Sequence, residues 1–238
     1  MMNFAFNTFT RILHANCQQM IQETPKIKKK DYQQVAEEAL QKAVSIIESD
    51  GWKKERSNGN GDIIYSKTIP IYGKVFKFEG ILNMPAAKVI DILYYKVEEM
   101  HKWNPTVKKC RIIEKINEHV DISHTIATEG AAGLVASRDF VNIRIWKKKN
   151  SDYLHGSVAT NHLEVPEIAK YVRGEQGPTV YIMSPISENP QQCKLTWLLN
   201  TNLKGWIPQY LIDQTLSTVM LDYVHSLRKH SASSKTSV

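Results

Sequence analysis

The sequence has few cysteines and no long apolar run, and both absences exclude whole classes of protein. Its three cysteines, Cys17, Cys110 and Cys193, are far apart along the 238 residues and form no CxxC pair. An odd number at this spacing indicates structural thiols in a reducing compartment, not a disulfide framework or a zinc site. No apolar stretch approaches the roughly 18 residues that a membrane-spanning helix needs, so none is predicted.

Catalytic motifs are also missing. The chain contains no GxSxG, no HExxH and no glycine-rich phosphate loop, so no motif indicates a hydrolase, a zinc protease or a nucleotide-binding site. Four scattered histidines are predicted to be solvated: His101, His124, His155 and His162. We therefore expect a protein that is not an enzyme and that uses no metal and no cofactor.

The charge balance is basic, with a net charge of +7 and an isoelectric point of about 9.2. Such a balance favours contact with an anionic surface such as a membrane, although an ordinary soluble basic protein is an equal alternative. The lysines are dispersed, with short runs only at 28–30 and 147–149. A nucleic-acid face normally carries a denser stripe of positive charge, so no nucleic-acid partner is predicted.

Hydrophobic periodicity divides the chain into a central domain, residues 31–230, and two flexible tails, residues 1–30 and 231–238. The domain is predicted to contain helices over 31–49, 85–95, 97–102 and 208–229. Strands are predicted over 52–57, 62–68, 74–82, 107–116, 119–129, 139–148, 153–160, 170–184 and 192–203. Antiparallel strands between terminal helices predict an α+β fold in which a curved sheet wraps the last helix.

One predicted strand carries a charge among apolar residues. From Phe140 the side chains alternate, so that Asn142 and Arg144 share a face with Phe140, while Ile143 and Ile145 face the other way. A charge in such a run lies either in solvent or in a cavity with a partner. If Arg144 lies in a cavity, the fold encloses a space for a ligand. If Arg144 lies in solvent, it gives no sign of such a space.

Four short motifs follow one another in the chain: WNP at 103–105, RDFV at 138–141, GPT at 177–179, and LKGW at 203–206 with Pro208 after it. Together they closely resemble the START domain, and within it the branch of the steroidogenic acute regulatory protein, over about residues 33–230. The resemblance implies a helix-grip fold, in which a bent antiparallel sheet grips a C-terminal helix over a hydrophobic tunnel. It also implies a monomeric, cytoplasmic, non-enzymatic carrier of one lipid that contacts membranes transiently.

The resemblance leaves the ligand open. Members of this branch typically bind cholesterol, and an insect member binds carotenoids such as lutein. A lipid-sensing interaction module, in which the bound lipid changes a surface read by a protein partner, is the alternative function. A third hypothesis is an enzyme with the same fold that acts on a small molecule.

The family's tunnel contains an arginine paired with an acidic residue. The arginine matches Arg144, but the acidic position falls on Thr125. Because a buried, unpaired arginine would cost several kcal/mol, we hypothesise that Arg144 pairs with Asp121, with Ser123, Thr125 and Asn142 as further polar contacts. The alternative places Asp121 in solvent at the start of its strand.

Further ligand-binding positions follow from the match to the family's tunnel lining. They are Met100, Asn104, Thr106, Leu203 and Thr215. Three aromatic residues are candidates for ligand contact and could equally be ordinary core: Trp103, Trp146 and Trp197.

The loop 130–137 matches the family's mobile loop beside the tunnel mouth. Its gate residues are predicted to be Gly130, Gly133 and Leu134, since glycine supplies the backbone freedom that a gate needs. The alternative is a plain hairpin loop. Trp206, just before the last helix, is predicted either to insert at a membrane surface or to hold that helix in place.

Overall fold

The computed structural model describes residues 29–130, 133 and 135–233. In this part the chain forms, in order, α1 (Lys29–Glu48), β1 (Lys53–Ser57), β2 (Ile63–Ile69), β3 (Gly73–Leu82), α2 (Ala86–Ile90), a π-helical turn (Asp91–Tyr95), a 3-10 helix (Val97–Lys102), β4 (Val107–Lys115), β5 (Val120–Ala127), β6 (Arg138–Lys149), β7 (Asp152–Ala159), β8 (Val172–Arg173), β9 (Glu175–Gln176), β10 (Thr179–Ile186), β11 (Asn189–Leu199), β12 (Thr201–Asn202) and α3 (Gln209–Ser233). Most of the predicted N-terminal tail and the predicted gate residue Leu134 lie outside the described residues.

The strands build one large antiparallel sheet in the order β1-β2-β3-β11-β10-β7-β6-β5-β4. β8 adds a short parallel pairing to β6. β9 and β12 form a separate two-stranded ladder, in which Thr201 pairs with Gln176. The large antiparallel sheet, with α1 before its first strand and α3 after the last strand, confirms the predicted α+β fold.

The strand predicted over 170–184 is wrong as a continuous element, because it is divided into β8, β9 and β10. Gly174 packs so tightly that an added Cβ atom would lie 2.3 Å from the ring of Phe140. Pro178 then interrupts the ladder because it has no backbone N–H to donate. The strand predicted over 192–203 is also divided, at Asn200, whose backbone N–H donates to Thr179 Oγ1 at 3.4 Å.

Two predicted helices differ from the observed ones. The helix predicted over 85–95 is α-helical only to Ile90 and continues as the π-helical turn. The last helix continues through Ser233, three residues into the segment 231–238 that was predicted as a tail. Helical periodicity alone identifies neither change, since both leave the apolar stripe intact.

The two faces of the sheet bury separate hydrophobic cores. On the outer face, α1 packs its apolar stripe against side chains that include Ile143 and Ile145 of β6. Gly156 of β7 permits this close approach, because a side chain there would meet Leu40 of α1 at 2.9 Å. On the inner face, α2 and α3 pack against strands that include β3 and β11.

A buried ion pair attaches the C-terminal part of α3 to the sheet. Both terminal nitrogens of Arg228 donate to the carboxylate of Asp62, at 2.6 and 2.7 Å. Asp62 is only 1% exposed. Burial alone would raise the pKa of Asp62, but hydrogen bonds from Arg228 and Asn58 outweigh it, so the pKa lies below its ordinary value.

Replacing Arg228 with methionine leaves the Asp62 carboxylate buried without its partner. We expect the free energy of unfolding to fall by about 3–5 kcal/mol, measured by urea denaturation at pH 7. Because the folded protein lowers this pKa, the stabilisation is present near neutral pH and is lost as the pH falls through the lowered pKa, so the difference between the two proteins should shrink once the pH is below the ordinary pKa of an aspartate. The matched control is Lys229→Met, at an exposed neighbouring position. An equal loss in the control would contradict this assignment.

Candidate functional site

The inner face of the sheet and α3 line a partly open cavity of about 270 Å³. About half of the lining residues are apolar or aromatic, and they supply most of the lining surface. They include Leu93, Val97, Met100, Val107, Val135, Phe140, Tyr181, Trp197, Leu199, Leu203, Leu216, Val219 and Tyr223. The other lining residues are mostly polar, and several of them lie on β5, β6 and β7. A concave cavity with a largely apolar surface and polar groups at defined places is the usual form of a binding site for a small hydrophobic molecule.

The predicted Arg144–Asp121 ion pair is present at the inner face. Arg144 Nε donates to Asp121 Oδ1 at 2.8 Å, and Nη2 donates to Oδ2 at 2.7 Å. The two residues lie directly opposite each other in the β5–β6 register, so the ion pair joins paired positions of the two neighbouring strands. Thr125 lies opposite Phe140, and its hydroxyl contacts Cys110 Sγ at 3.2 Å. The bidentate geometry is the strong form of an arginine–carboxylate contact.

Arg144 also connects the sheet to the π-helical turn. Nη1 donates to the backbone oxygen of Leu93 at 3.3 Å, and Nη2 donates to that of Tyr94 at 3.2 Å. Carbonyl groups at an irregular helix end lack regular intrahelical partners, and a cation there is favourable. The guanidinium also lies 4.7 Å from the centre of the Tyr94 ring. Four of the five N–H groups of Arg144 are therefore used inside the protein.

The titratable side chains around this pair are uncharged near neutral pH. His155 lines the cavity, and burial together with the nearby Arg144 lowers its pKa to about 3. Burial raises the pKa of Tyr94, with a further contribution from Asp121. Burial likewise raises the pKa values of Tyr181 and Tyr223. Neutral rings therefore surround the compensated Arg144–Asp121 pair.

The structure places most of the predicted ligand-binding residues around the same cavity. Those that line it are Arg144, Ser123, Thr125, Asn142, Met100, Asn104, Thr106, Leu203 and Thr215, with the gate residue Gly130 and the aromatic candidate Trp197. Their contact with a ligand stays a prediction.

Other predicted residues lie elsewhere. Asp121 contacts Arg144 but is not part of the lining. Trp103 packs against the rings of Tyr223 and His230, with centroids 5.4 and 5.7 Å away. It follows the 3-10 helix, where neither helical nor strand periodicity determines the direction of a side chain.

Trp146 and Gly133 are also outside the cavity lining. The Trp146 ring stacks on Tyr153 at 6.2 Å, near the far end of the β6–β7 pair. Gly133 is exposed, with a φ of +91° that favours glycine.

Several lining residues were missed by sequence reasoning. His155 was predicted to be solvated, which is wrong, because it is 6% exposed and faces the cavity. His124 is also buried, and its Nε2 lies 2.9 Å from Asp139 Oδ2. Strand alternation along β7 would have placed His155 and Ser157 together on the inner face. Gln176 had no such signal, because it lies in the segment wrongly predicted as one strand.

Two segments flank one side of the cavity and are joined by Arg138. This buried arginine donates to the backbone oxygens of Ala136, at the end of the predicted gate loop, and Leu203, just before α3, the latter at 3.2 Å. An added Cβ atom at Gly130 would lie 3.8 Å from Thr215 Cγ2 on α3. The loop and the start of α3 therefore meet at this edge of the cavity, which we call the mouth.

No group of three or more His, Cys, Asp or Glu side chains among the described residues could hold a metal ion. No helix in residues 29–130 or 135–233 has the length and hydropathy needed to cross a bilayer.

The START domain model matches residues 31–237 of this chain. The chain belongs to the START family. Human steroidogenic acute regulatory protein, named as mitochondrial, is 40% identical over 199 residues, which are 83% of this chain and 70% of that protein. The corresponding Danio rerio protein is 41% identical over 203 residues, 85% of this chain and 71% of its relative. The resemblance drawn from the four motifs is thereby confirmed.

Solved structures show the same fold. Human StAR-related lipid transfer protein 5 matches with a TM-score of 0.78 at 23% identity, covering 84% of this START chain and 96% of that chain. Human STARD10 matches with a TM-score of 0.68 at 18% identity, covering 90% and 84% respectively. The helix-grip architecture implied by the motifs is confirmed by these matches.

Removing the carboxylate with Asp121→Ala leaves Arg144 buried without its counter-charge. We expect a loss of about 3–5 kcal/mol in the free energy of unfolding, measured by urea denaturation. The double variant Asp121→Leu/Arg144→Met removes both charges and should recover most of that loss. Glu118→Ala, exposed in the β4–β5 turn, is the control. Asp121→Ala unfolding at the wild-type urea concentration would contradict the structural role of the pair.

Proposed function

We propose that this protein binds one hydrophobic lipid, a sterol or a carotenoid, in its inner cavity and carries it between membranes in the cytoplasm without changing it chemically. The observation that carries the proposal is the cavity with a largely apolar surface, beside which the charged pair is compensated within the protein. Burial of apolar ligand surface there contributes about 25 cal/mol per Å². Such a site holds a lipid mainly by excluding water and needs few polar contacts to orient it.

The chemistry of the buried side chains in and near the cavity supports carriage over catalysis. Burial raises the pKa of the Cys110 thiol, and burial raises that of Cys193 to about 12, so neither is a ready nucleophile. His155 stays neutral with its Nδ1 bound to the backbone oxygen of Ile145 at 3.1 Å. Arg144 is held by Asp121 and two carbonyl groups. None of these groups is arranged as a nucleophile with an adjacent base.

The ligand is proposed as cholesterol first and a carotenoid such as lutein second. The relatives at 40% identity are named steroidogenic acute regulatory proteins, which favours a sterol. The carotenoid is retained because the family's acidic position is Thr125 here and the arginine pairs with Asp121, a different polar arrangement. A moved polar group changes which ligands fit.

Membrane contact is proposed at the mouth of the cavity. Trp206 is 94% exposed and Tyr210 is 72% exposed, and both follow the lining residue Leu203 closely in the chain. Exposed aromatic residues favour the interface between water and lipid. The net charge of +7 would steer the protein to anionic lipid. Opening of loop 130–137 at that surface would release the ligand.

Filling the cavity should abolish binding while leaving the fold intact. Val219→Trp places an indole in the cavity from α3, and we expect at least a tenfold weaker affinity for cholesterol and for lutein. Affinity is measured by titration, and circular dichroism checks the fold. Asp222→Trp, exposed on the same helix, is the matched control and should bind like wild type. Wild-type protein that binds neither lipid, or a Val219→Trp protein that binds both normally, would contradict the proposed function.

Locking the mouth should stop exchange without changing the amount of ligand already bound. Gly130→Cys/Thr215→Cys, in a Cys17→Ser background, places two thiols where the Cβ of residue 130 and the Cγ2 of Thr215 would be 3.8 Å apart. We expect the oxidised protein to transfer cholesterol between vesicles at least tenfold more slowly, and a reductant to restore the rate. Each single cysteine variant is a control. Equal transfer by oxidised and reduced protein would show that lipid leaves by another route.

A further inference from the structure

Three buried polar atoms of cavity-lining residues have no hydrogen-bond partner among the described residues. They are Asn142 Oδ1, Thr201 Oγ1 and Trp197 Nε1. A buried polar atom without a partner costs about 1–3 kcal/mol, so such atoms indicate where a missing partner belongs. Arg144, in contrast, has most of its donors occupied.

Two of these three residues, Asn142 and Thr201, are neighbours of Gln176. Asn142 Nδ2 donates to Gln176 Oε1 at 2.7 Å, and Ser157 Oγ donates to the same oxygen at 3.2 Å. Because Gln176 presents its oxygen there, Asn142 uses its amide nitrogen and leaves its carbonyl oxygen free. Thr201 is the direct cross-strand partner of Gln176 in the β9–β12 ladder. Side chains of such a pair lie on the same face, with Cβ atoms about 5 Å apart.

The short β12 strand separates the inside of the cavity from the outside. Leu199, Thr201 and Leu203 line the cavity, whereas Asn200 and Asn202 line a separate polar cleft on the other side. This alternation follows from the period of two in extended chain. The Thr201 hydroxyl is therefore directed to the lipid side, and Asn142, 7% exposed, faces the same space from β6.

We propose that Asn142 and Thr201 form the recognition site for a hydroxyl group of the bound lipid, while the Arg144–Asp121 pair is structural. This inference rests on the proposed function. A ligand hydroxyl donates one hydrogen bond and accepts others, so it can donate to Asn142 Oδ1 and accept from Thr201 Oγ1. The ligand class is an apolar molecule with a hydroxyl on its end ring, as in a 3-hydroxysterol or a hydroxylated carotenoid.

The test compares each lipid with its deoxygenated analogue. Cholesterol is paired with cholest-5-ene, and lutein with α-carotene, and affinity is measured by titration of purified full-length protein. The wild-type protein should prefer the hydroxylated member of the bound pair by about tenfold. Asn142→Leu and Thr201→Val should each reduce that preference to about threefold or less, while the affinity for the deoxygenated analogue stays within about twofold.

A matched control separates this site from the other polar groups. Thr160→Val makes the same substitution outside the lipid cavity, on the polar cleft, and should keep the full preference. A preference that survives Asn142→Leu and Thr201→Val, or that is lost in Thr160→Val, would overturn the proposal.

The outcomes also distinguish this inference from the proposed function. Binding of cholesterol or lutein with no preference over its analogue in the wild-type protein would overturn hydroxyl recognition and leave lipid carriage standing. Binding of none of the four lipids would overturn both. Circular dichroism and the urea midpoint of each variant show whether it is folded, so that a loss of lipid preference can be distinguished from unfolding.

Discussion

The buried contact between Arg144 and Asp121 is the constraint on which the inner half of the molecule depends. It joins two neighbouring strands, and through the carbonyl groups of Leu93 and Tyr94 it also holds the helical segment that closes one side of the cavity. Removing two charges from water costs several kcal/mol per ion, and only close, fully hydrogen-bonded geometry offsets that cost. The pair therefore tolerates little change in strand register or in the position of the π-helical turn.

Buried polar groups at the cavity wall include two kinds. The Arg144–Asp121 pair and His155 are hydrogen-bonded to protein atoms and need nothing from a ligand. Asn142 and Thr201 each keep an atom without a protein partner. A protein that carries apolar cargo gains from this division, because charged groups stabilise the walls while weaker neutral groups distinguish one lipid from another.

Part of this site was predictable from local rules and part from the family resemblance, and the exceptions have identifiable causes. Strand alternation placed Asn142 and Arg144 on a shared face, and the resemblance placed Arg144 in a tunnel. The need to neutralise a buried guanidinium then led to the hypothesis that Asp121 is its partner. Gln176 and Thr201 were missed because their pairing joins segments 25 residues apart, after breaks at Gly174 and Pro178 that periodicity does not reveal. For Trp103 the choice between ligand contact and ordinary core stayed open, because its turn has no regular period.

The two hydrophobic cores have a consequence for how such a domain diversifies. The core beneath α1 is closed by its own side chains, including Leu40 against Gly156, and does not line the cavity. A substitution that reshapes the inner wall therefore disturbs packing on one side of the sheet only. Relatives with the same backbone can exchange lining residues, and with them the cargo, at a small cost in the stability that the opposite face maintains.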